Sequence, residues 1–322
     1  MGGIRRWYIL ALVAVPILLP LASGDRYFLT LLNLVLINAV LALGFYIIFG
    51  LTGIFSVAQA AFWGVGAYTG AILTVDHGFP VWASFLLAPI VAAAFGVLLG
   101  APTLRLKTHY LTMATIGFAE VVRQILINWE PVTKGPSGIS GIPSPHLGSF
   151  RFNSPLRYYY LALIITALVV VVILRLRSSR LGRGMESIRD DDLAAEAMGV
   201  NVTGLKILAF ALSAACAGLA GAMYSHFVRY ISPDVFHLEA AVQVLAMVLI
   251  GGRVYVVGAV VGAIVVTLLP EALRTIKDWW AIVYALAILG FLAFMPQGLT
   301  GFALQLRDRW LQPRRPPEGS AE

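Results

Sequence analysis

The sequence predicts an all-α, polytopic transmembrane helical bundle with about ten spans. Three observations predict it. Of 322 residues, 59% are hydrophobic and only 12% are charged, well below the roughly 25% of a soluble domain. Apolar runs near the roughly 20 residues that a span needs recur along the whole chain. Lys and Arg are shared unevenly between the two sides that those runs define. The runs take up so much of the chain that no soluble catalytic domain fits beside them.

The first run, Trp7–Ser23, follows Arg5 and Arg6. It has the layout of a signal peptide. It reads better as an uncleaved first span, because a second long run, Phe28–Phe49, follows at once. The third run, Ile54–Val75, is unlike a lipid-facing anchor. Gly44, Gly50, Gly53, Gly64, Gly66 and Gly70 lie in and before it, with Thr52, Ser56 and Gln59 near its start. Glycines permit close backbone approach and unwinding, and polar groups at membrane depth must face protein or a water-lined path. Thr52, Ser56 and Gln59 are therefore candidates to border a transport path. Val81–Leu99, Tyr110–Asn128, Tyr158–Leu174 and Leu205–Val228 are ordinary spans. Leu238–Ile250 is too short to cross upright and reads as tilted or re-entrant. Val254–Leu269 and Trp280–Phe294 complete the set.

With the N-terminus inside, fifteen Lys and Arg fall in inner segments and seven in outer ones, and Arg123 lies within a span. That asymmetry places both termini in the cytoplasm. It also accounts for the net charge of +7 without nucleic acid. The domain plan is a membrane domain over residues 1–311 and a disordered cytoplasmic tail over 312–322. The domain carries an outer loop, 129–157, rich in Pro, Gly and Ser, and a charged inner loop, 175–204. Cys216 is the one cysteine and sits in an apolar run, which fits packing rather than redox chemistry.

The inner loop contains RDDDLAAEAMGVNVTG, from Arg189 to Gly204. Asp190, Asp191 and Asp192 suit a helix N-terminus. Leu193, Ala194, Ala195, Glu196, Ala197 and Met198 favour the helix, and Gly199 suits a left-handed cap. A helix of about two turns is marginal alone in water. It needs a surface: the chain's own loops or a cytoplasmic partner, with Leu193, Ala194, Ala197 and Met198 on one face. A different reading makes the three aspartates a magnesium–diphosphate site of a membrane prenyltransferase. That chemistry needs a facing acidic cluster, and the inner segments contain none. No G-x-x-x-x-G-K-[ST], H-E-x-x-H or G-x-S-x-G occurs, so ATP-driven work would need another polypeptide to hold the nucleotide.

Glu120 and Arg123 are three apart in a span. They read either as an internal pair that locks helices or as lining of the path. Asn38, Gln59, Gln124 and Gln243 read first as interhelical hydrogen-bonding groups. His226 and His237 show no ligand spacing, so no metal site is expected. Trp129, Trp279 and Trp280 fit interfacial anchors.

Five segments together resemble a known family, the LivM-type permease subunits of branched-chain amino acid ABC importers. They are GLTGIFSVAQAAFWGVGAYTGA (Gly50–Ala71), FAEVVRQILINW (Phe118–Trp129), KGPSGISGIP (Lys134–Pro143), GRGMESIRDDDLAAEAMGVNV (Gly182–Val202) and GGRVYVVGAVVGA (Gly251–Ala263). The last is the poorest match: Arg253 and Tyr255 stand where the family usually has Gly and a Ser or Thr. Val57 and Ala58 replace the commoner Leu–Gly. These departures bear on the solute rather than on the family.

The resemblance implies an importer built from this permease and a sister permease, two cytoplasmic ATPase subunits and an extracytoplasmic solute-binding protein, in the plasma (inner) membrane of a bacterium or archaeon. The chain would not be an enzyme and would hold no cofactor, ATP and magnesium being bound by the ATPase subunits. Residues 190–199 would couple to the ATPases. Gly135, Ser137, Gly138 and Gly141 would meet the binding protein. The competing expectation is a self-sufficient channel or ion-coupled transporter for small polar solutes.

Overall fold

The computed structural model describes Pro16, Pro20 and residues 25–103, 108–148, 150–273, 280–294 and 298–302. Most of the first span and the whole 312–322 tail lie outside the described residues. The described residues are all-α apart from four two-residue strands. Helix α1 (Arg26–Phe45) runs on through a π-helical turn, Tyr46–Leu51. Then come α2 (Gln59–Val75), α3 (Val81–Thr103), α4 (Thr108–Asn128) and α5 (Pro155–Ser178). Two short helices follow, α6 (Arg180–Asp190) and α7 (Asp192–Ala197). The rest are α8 (Val202–Val228), α9 (Leu238–Gly251), α10 (Val256–Ala272) and α11 (Trp280–Phe294).

Local chemistry sets the ends. The Asp25 carboxylate accepts from Tyr27 N–H at 3.0 Å to start α1. Ser154 caps α5 with Pro155 as its first residue, where a missing N–H costs nothing. Asn201 accepts from Gly204 N–H at 2.9 Å to start α8. Among the described residues, five helices are long and apolar enough to cross a membrane: Arg26–Leu51, Val81–Pro102, Tyr110–Asn128, Pro155–Ser178 and Val202–Val228. Helices α9 and α10 are shorter.

The largest difference from expectation is the third run. It is not one helix from Ile54. Residues 53–58 are non-helical, and α2 starts only at Gln59. The second difference is α6, an amphipathic helix within what reads as a charged loop. It buries Gly182, Met185 and Ile188, a spacing of three that keeps them on one face.

Helix α1 is the axis. Of its most apolar stretch 78% is buried, against 22% for α4, so α4 presents most of its surface outward. Helix α1 packs on α5, α8 and α10, while α8 also packs on α2 and α3. Small residues make those contacts possible. A Cβ on Gly66 would fall 2.3 Å from the Gly218 Cα, and one on Gly218 would fall 2.5 Å from the Ala92 Cβ. Two backbones meet there, as is usual where helices pack in lipid. In the outer loop, β1 (Ile139–Ser140) pairs antiparallel with β4 (Tyr230–Ile231), and β2 (His146–Leu147) with β3 (Phe150–Arg151). His226, fully buried, ties this loop to the bundle. Its Nδ1–H donates to the Pro143 carbonyl at 2.8 Å, and Nε2 lies 2.6 Å from Ser84 Oγ.

A Gly66→Val protein is expected to lose about 1–3 kcal/mol or more of stability, because α2 and α8 must part. The measurement is the unfolding midpoint in detergent; an unchanged midpoint contradicts the backbone contact.

Candidate functional site

The broken span comes first. Within it, the Gly53 N–H donates to Phe49 O at 3.1 Å and the Ile54 N–H to Ile48 O at 3.2 Å. The Val57 N–H donates to Thr115 Oγ1 at 3.1 Å, and the Ala58 N–H to Ser56 Oγ at 3.3 Å. Gln59 Nε2 donates to the Leu41 carbonyl at 3.2 Å, and its Oε1 accepts from Ser213 Oγ at 3.0 Å. The absent side chain of Gly44 leaves room for this amide: a Cβ there would meet Gln59 Nε2 at 2.8 Å.

Thr52, Ser56 and Gln59 are all buried inside the chain. Their polar groups are engaged within the chain. Unwound backbone at membrane depth needs internal partners, and Ser56 supplies one, while Gln59 bridges α1 to α8. Asn38 does similar work, donating to Thr267 Oγ1 at 2.9 Å between α1 and α10.

The foot, helix α7 with its flanking residues, comes second. Asp191 caps α7, its Oδ1 accepting from Leu193 N–H at 2.9 Å and Ala194 N–H at 3.0 Å. Gly199 closes it at φ +82°, a conformation that suits glycine. Leu193 and Met198 are 78% and 84% exposed, and Ala194 and Ala197 share their exposed state. Ala195 departs from the predicted contact set: it is buried and faces the protein. The three aspartates are separately engaged. Asp190 ends α6 and pairs with Arg189 at 3.1 Å, Asp191 is the cap, and Asp192 pairs with Lys206. Among the described residues no group of three His, Cys, Asp or Glu is placed to hold a metal.

One link between foot and span escaped the sequence reading. Arg189 Nη1 donates to the Gly50 carbonyl at 3.1 Å, at the end of the π-helical turn. Gly53, at φ +71°, lies under the same side chain: a Cβ there would meet Arg189 Cγ at 3.1 Å. The signal for the helix that carries Arg189 was Ser179, which caps it, followed by apolar or small residues every third position.

The charged cluster on α4 comes third. Arg123 Nη1 lies 3.3 Å from Glu120 Oε1, so the predicted pair exists. Gln124 Nε2 donates to the same oxygen at 2.7 Å, and Asn128 Nδ2 donates to the Gln124 carbonyl at 2.8 Å. A further acid, Asp234, stands 3.7 Å from Arg123 Nη2. It comes from the turn Pro233–Phe236, more than a hundred residues away, and no local pattern pointed to it. Glu120 is 53% exposed on the outward side of α4.

In the outer loop, Ser137 and Gly141 are exposed. Gly135 is buried. Gly138 is half-buried, and a Cβ there would strike the Ile231 carbonyl at 2.0 Å, so it serves the β1–β4 pairing. A cavity of about 370 Å³ opens nearby between Asn153, Tyr158, His226 and Arg229, away from every predicted site residue.

Comparison with known proteins gives the family. Residues 27–295 match the family described as branched-chain amino acid transport system / permease component. The chain is 31% identical to the high-affinity branched-chain amino acid transport system permease protein LivM of Salmonella typhimurium, over 92% of this chain and 75% of that protein. LivM of Escherichia coli K12 gives the same figures. The autoinducer 2 import system permease protein LsrC of Yersinia enterocolitica is 24% identical over 71% of this chain and 66% of that protein. No solved structure matches. These relatives are transport permeases rather than enzymes. The chain belongs to the family of branched-chain amino acid transport system permease components.

Proposed function

We propose that this permease is one half of the membrane pathway of an ATP-binding-cassette importer for branched-chain or other amino acids. A sister permease completes the pathway. Two cytoplasmic ATPase subunits drive it, and an extracytoplasmic solute-binding protein delivers the solute at the loop that exposes Ser137 and Gly141. ATP and magnesium belong to the ATPases. The complex sits in the lipid of a bacterial inner membrane with both termini of this chain in the cytoplasm; the relatives named above are bacterial, and none supports an archaeal source.

The observation that carries this reading is the foot. A capped helix of six residues holds Leu193 and its C-cap residue Met198 in water with nothing to cover them. Apolar side chains so placed mark an interaction surface. Arg189 joins that surface to the inner end of the broken span. ATP binding can bias the pathway only through differential contact with its two states, and this link supplies one. The α4 face fits the same scheme. Charges at membrane depth are costly against lipid, so Glu120, Gln124 and Asn128 face an aqueous path shared with the sister subunit.

Leu193→Asp with Met198→Asp is expected to insert normally yet release the ATPases, with uptake at least about tenfold lower, as for a lost interface hot spot. Uptake assays on membrane vesicles check this, and normal uptake contradicts the docking role. Arg189→Ala has a separate signature: the ATPases stay bound and hydrolyse ATP while solute uptake falls, which paired hydrolysis and uptake measurements on one preparation reveal. The channel reading predicts solute flux in liposomes containing this polypeptide alone; the importer reading predicts none.

A further inference from the structure

Buried donors that lack acceptors are rare in folded proteins. Among the described residues, three of them flank one turn: Trp63 Nε1–H, Tyr68 O–H and Arg123 Nε–H. Trp63 and Tyr68 are 7% and 2% exposed. The turn is Pro233–Phe236, between α8 and α9. The Trp63 ring stands edge-on to Phe236 at 4.9 Å, and the Tyr68 ring lies 6.1 Å from Phe236. Arg123 reaches Asp234 of the same turn at 3.7 Å. Helices α2 and α4 thus bring these donors to one turn. Two carboxylates sit beside them, Glu120 and Asp234, both more than half exposed.

We propose that this turn forms a solute-recognition site within the pathway, for an α-amino acid with an apolar side chain. The inference rests on the permease reading and adds the residues that read the solute. A carboxylate is an acceptor only, with two oxygens and about four lone-pair sites, which suits several donors around a guanidinium. The ammonium group is a donor only, and Glu120 and Asp234 supply acceptors open to the path. The Trp63 and Phe236 rings give an apolar side chain its wall. A neutral amine or amide lacks the acceptor oxygens that the three donors need.

The test uses the complete permease pair with its ATPases, purified in detergent without the binding protein. Leucine is titrated against leucinamide, which lacks the carboxylate. Leucine is expected to raise the unfolding midpoint of the complex, and leucinamide is not. Trp63→Phe and Tyr68→Phe each keep the ring and remove one donor. Each is expected to weaken leucine binding about tenfold, as for a lost hydrogen bond to a charged group. Neither should lower the ligand-free midpoint, because an unpaired donor contributes no bond to the fold. No leucine binding by the wild-type complex, equal binding of leucinamide, or wild-type affinity in both variants would overturn the site. Any of these with ATP-driven leucine uptake intact leaves the permease reading standing; loss of that uptake in the complete wild-type importer defeats the permease reading itself.

Discussion

In a bilayer, every backbone N–H and C=O must find a partner inside the protein. A span that stops being helical at residues 53–58 breaks the supply of such partners at its most costly depth. The rest of the structure is arranged around repairing it. Thr115 of α4 accepts from the Val57 N–H and Arg189 of α6 donates to the Gly50 carbonyl, while the Gln59 side chain at the end of the break joins the Leu41 carbonyl of α1 to Ser213 of α8. The repair draws one contact from nearly every element that a moving gate would have to involve. A continuous helix would have needed none of them.

The packing divides into a tight core and an open flank. Helices α1, α2, α3 and α8 meet through glycine and alanine, so their backbones lie in contact and leave little freedom to slide. A second close seam joins α9 to α10, where a Cβ on Gly251 would strike the Gly258 carbonyl at 1.8 Å. Helix α4 is different: mostly outward-facing, with Glu120, Gln124 and Asn128 along one side. On the importer reading proposed above, a rigid core beside a polar, uncovered helix is half of a pathway.

Much of this was legible in the residues, for physical reasons. Spans follow from hydropathy, which lipid enforces, and the bounds of α9 lie within a residue of expectation. The foot was legible because Asp191 and Gly199 are end signals that act locally. The Glu120–Arg123 pair was legible because three residues is nearly one helical turn. The start of α2 was not, because glycines permit a break without fixing its place; Thr115 and Ser213, distant in sequence, fix it. The inward turn of Thr52, Ser56 and Gln59, and the approach of Asp234 to Arg123, depend likewise on long-range packing that no local pattern encodes.

The central claim is that ATP-driven movement reaches the broken span through the Arg189–Gly50 contact. The most direct measurement is a pair of spin labels, at Arg180→Cys on α6 and His77→Cys just past α2, in a Cys216→Ser background. Distances are compared with and without ATP in the assembled importer. The account predicts a clear change in the label separation that disappears when Arg189 is also replaced by alanine. An equal change without the arginine, or no change with it, contradicts the account.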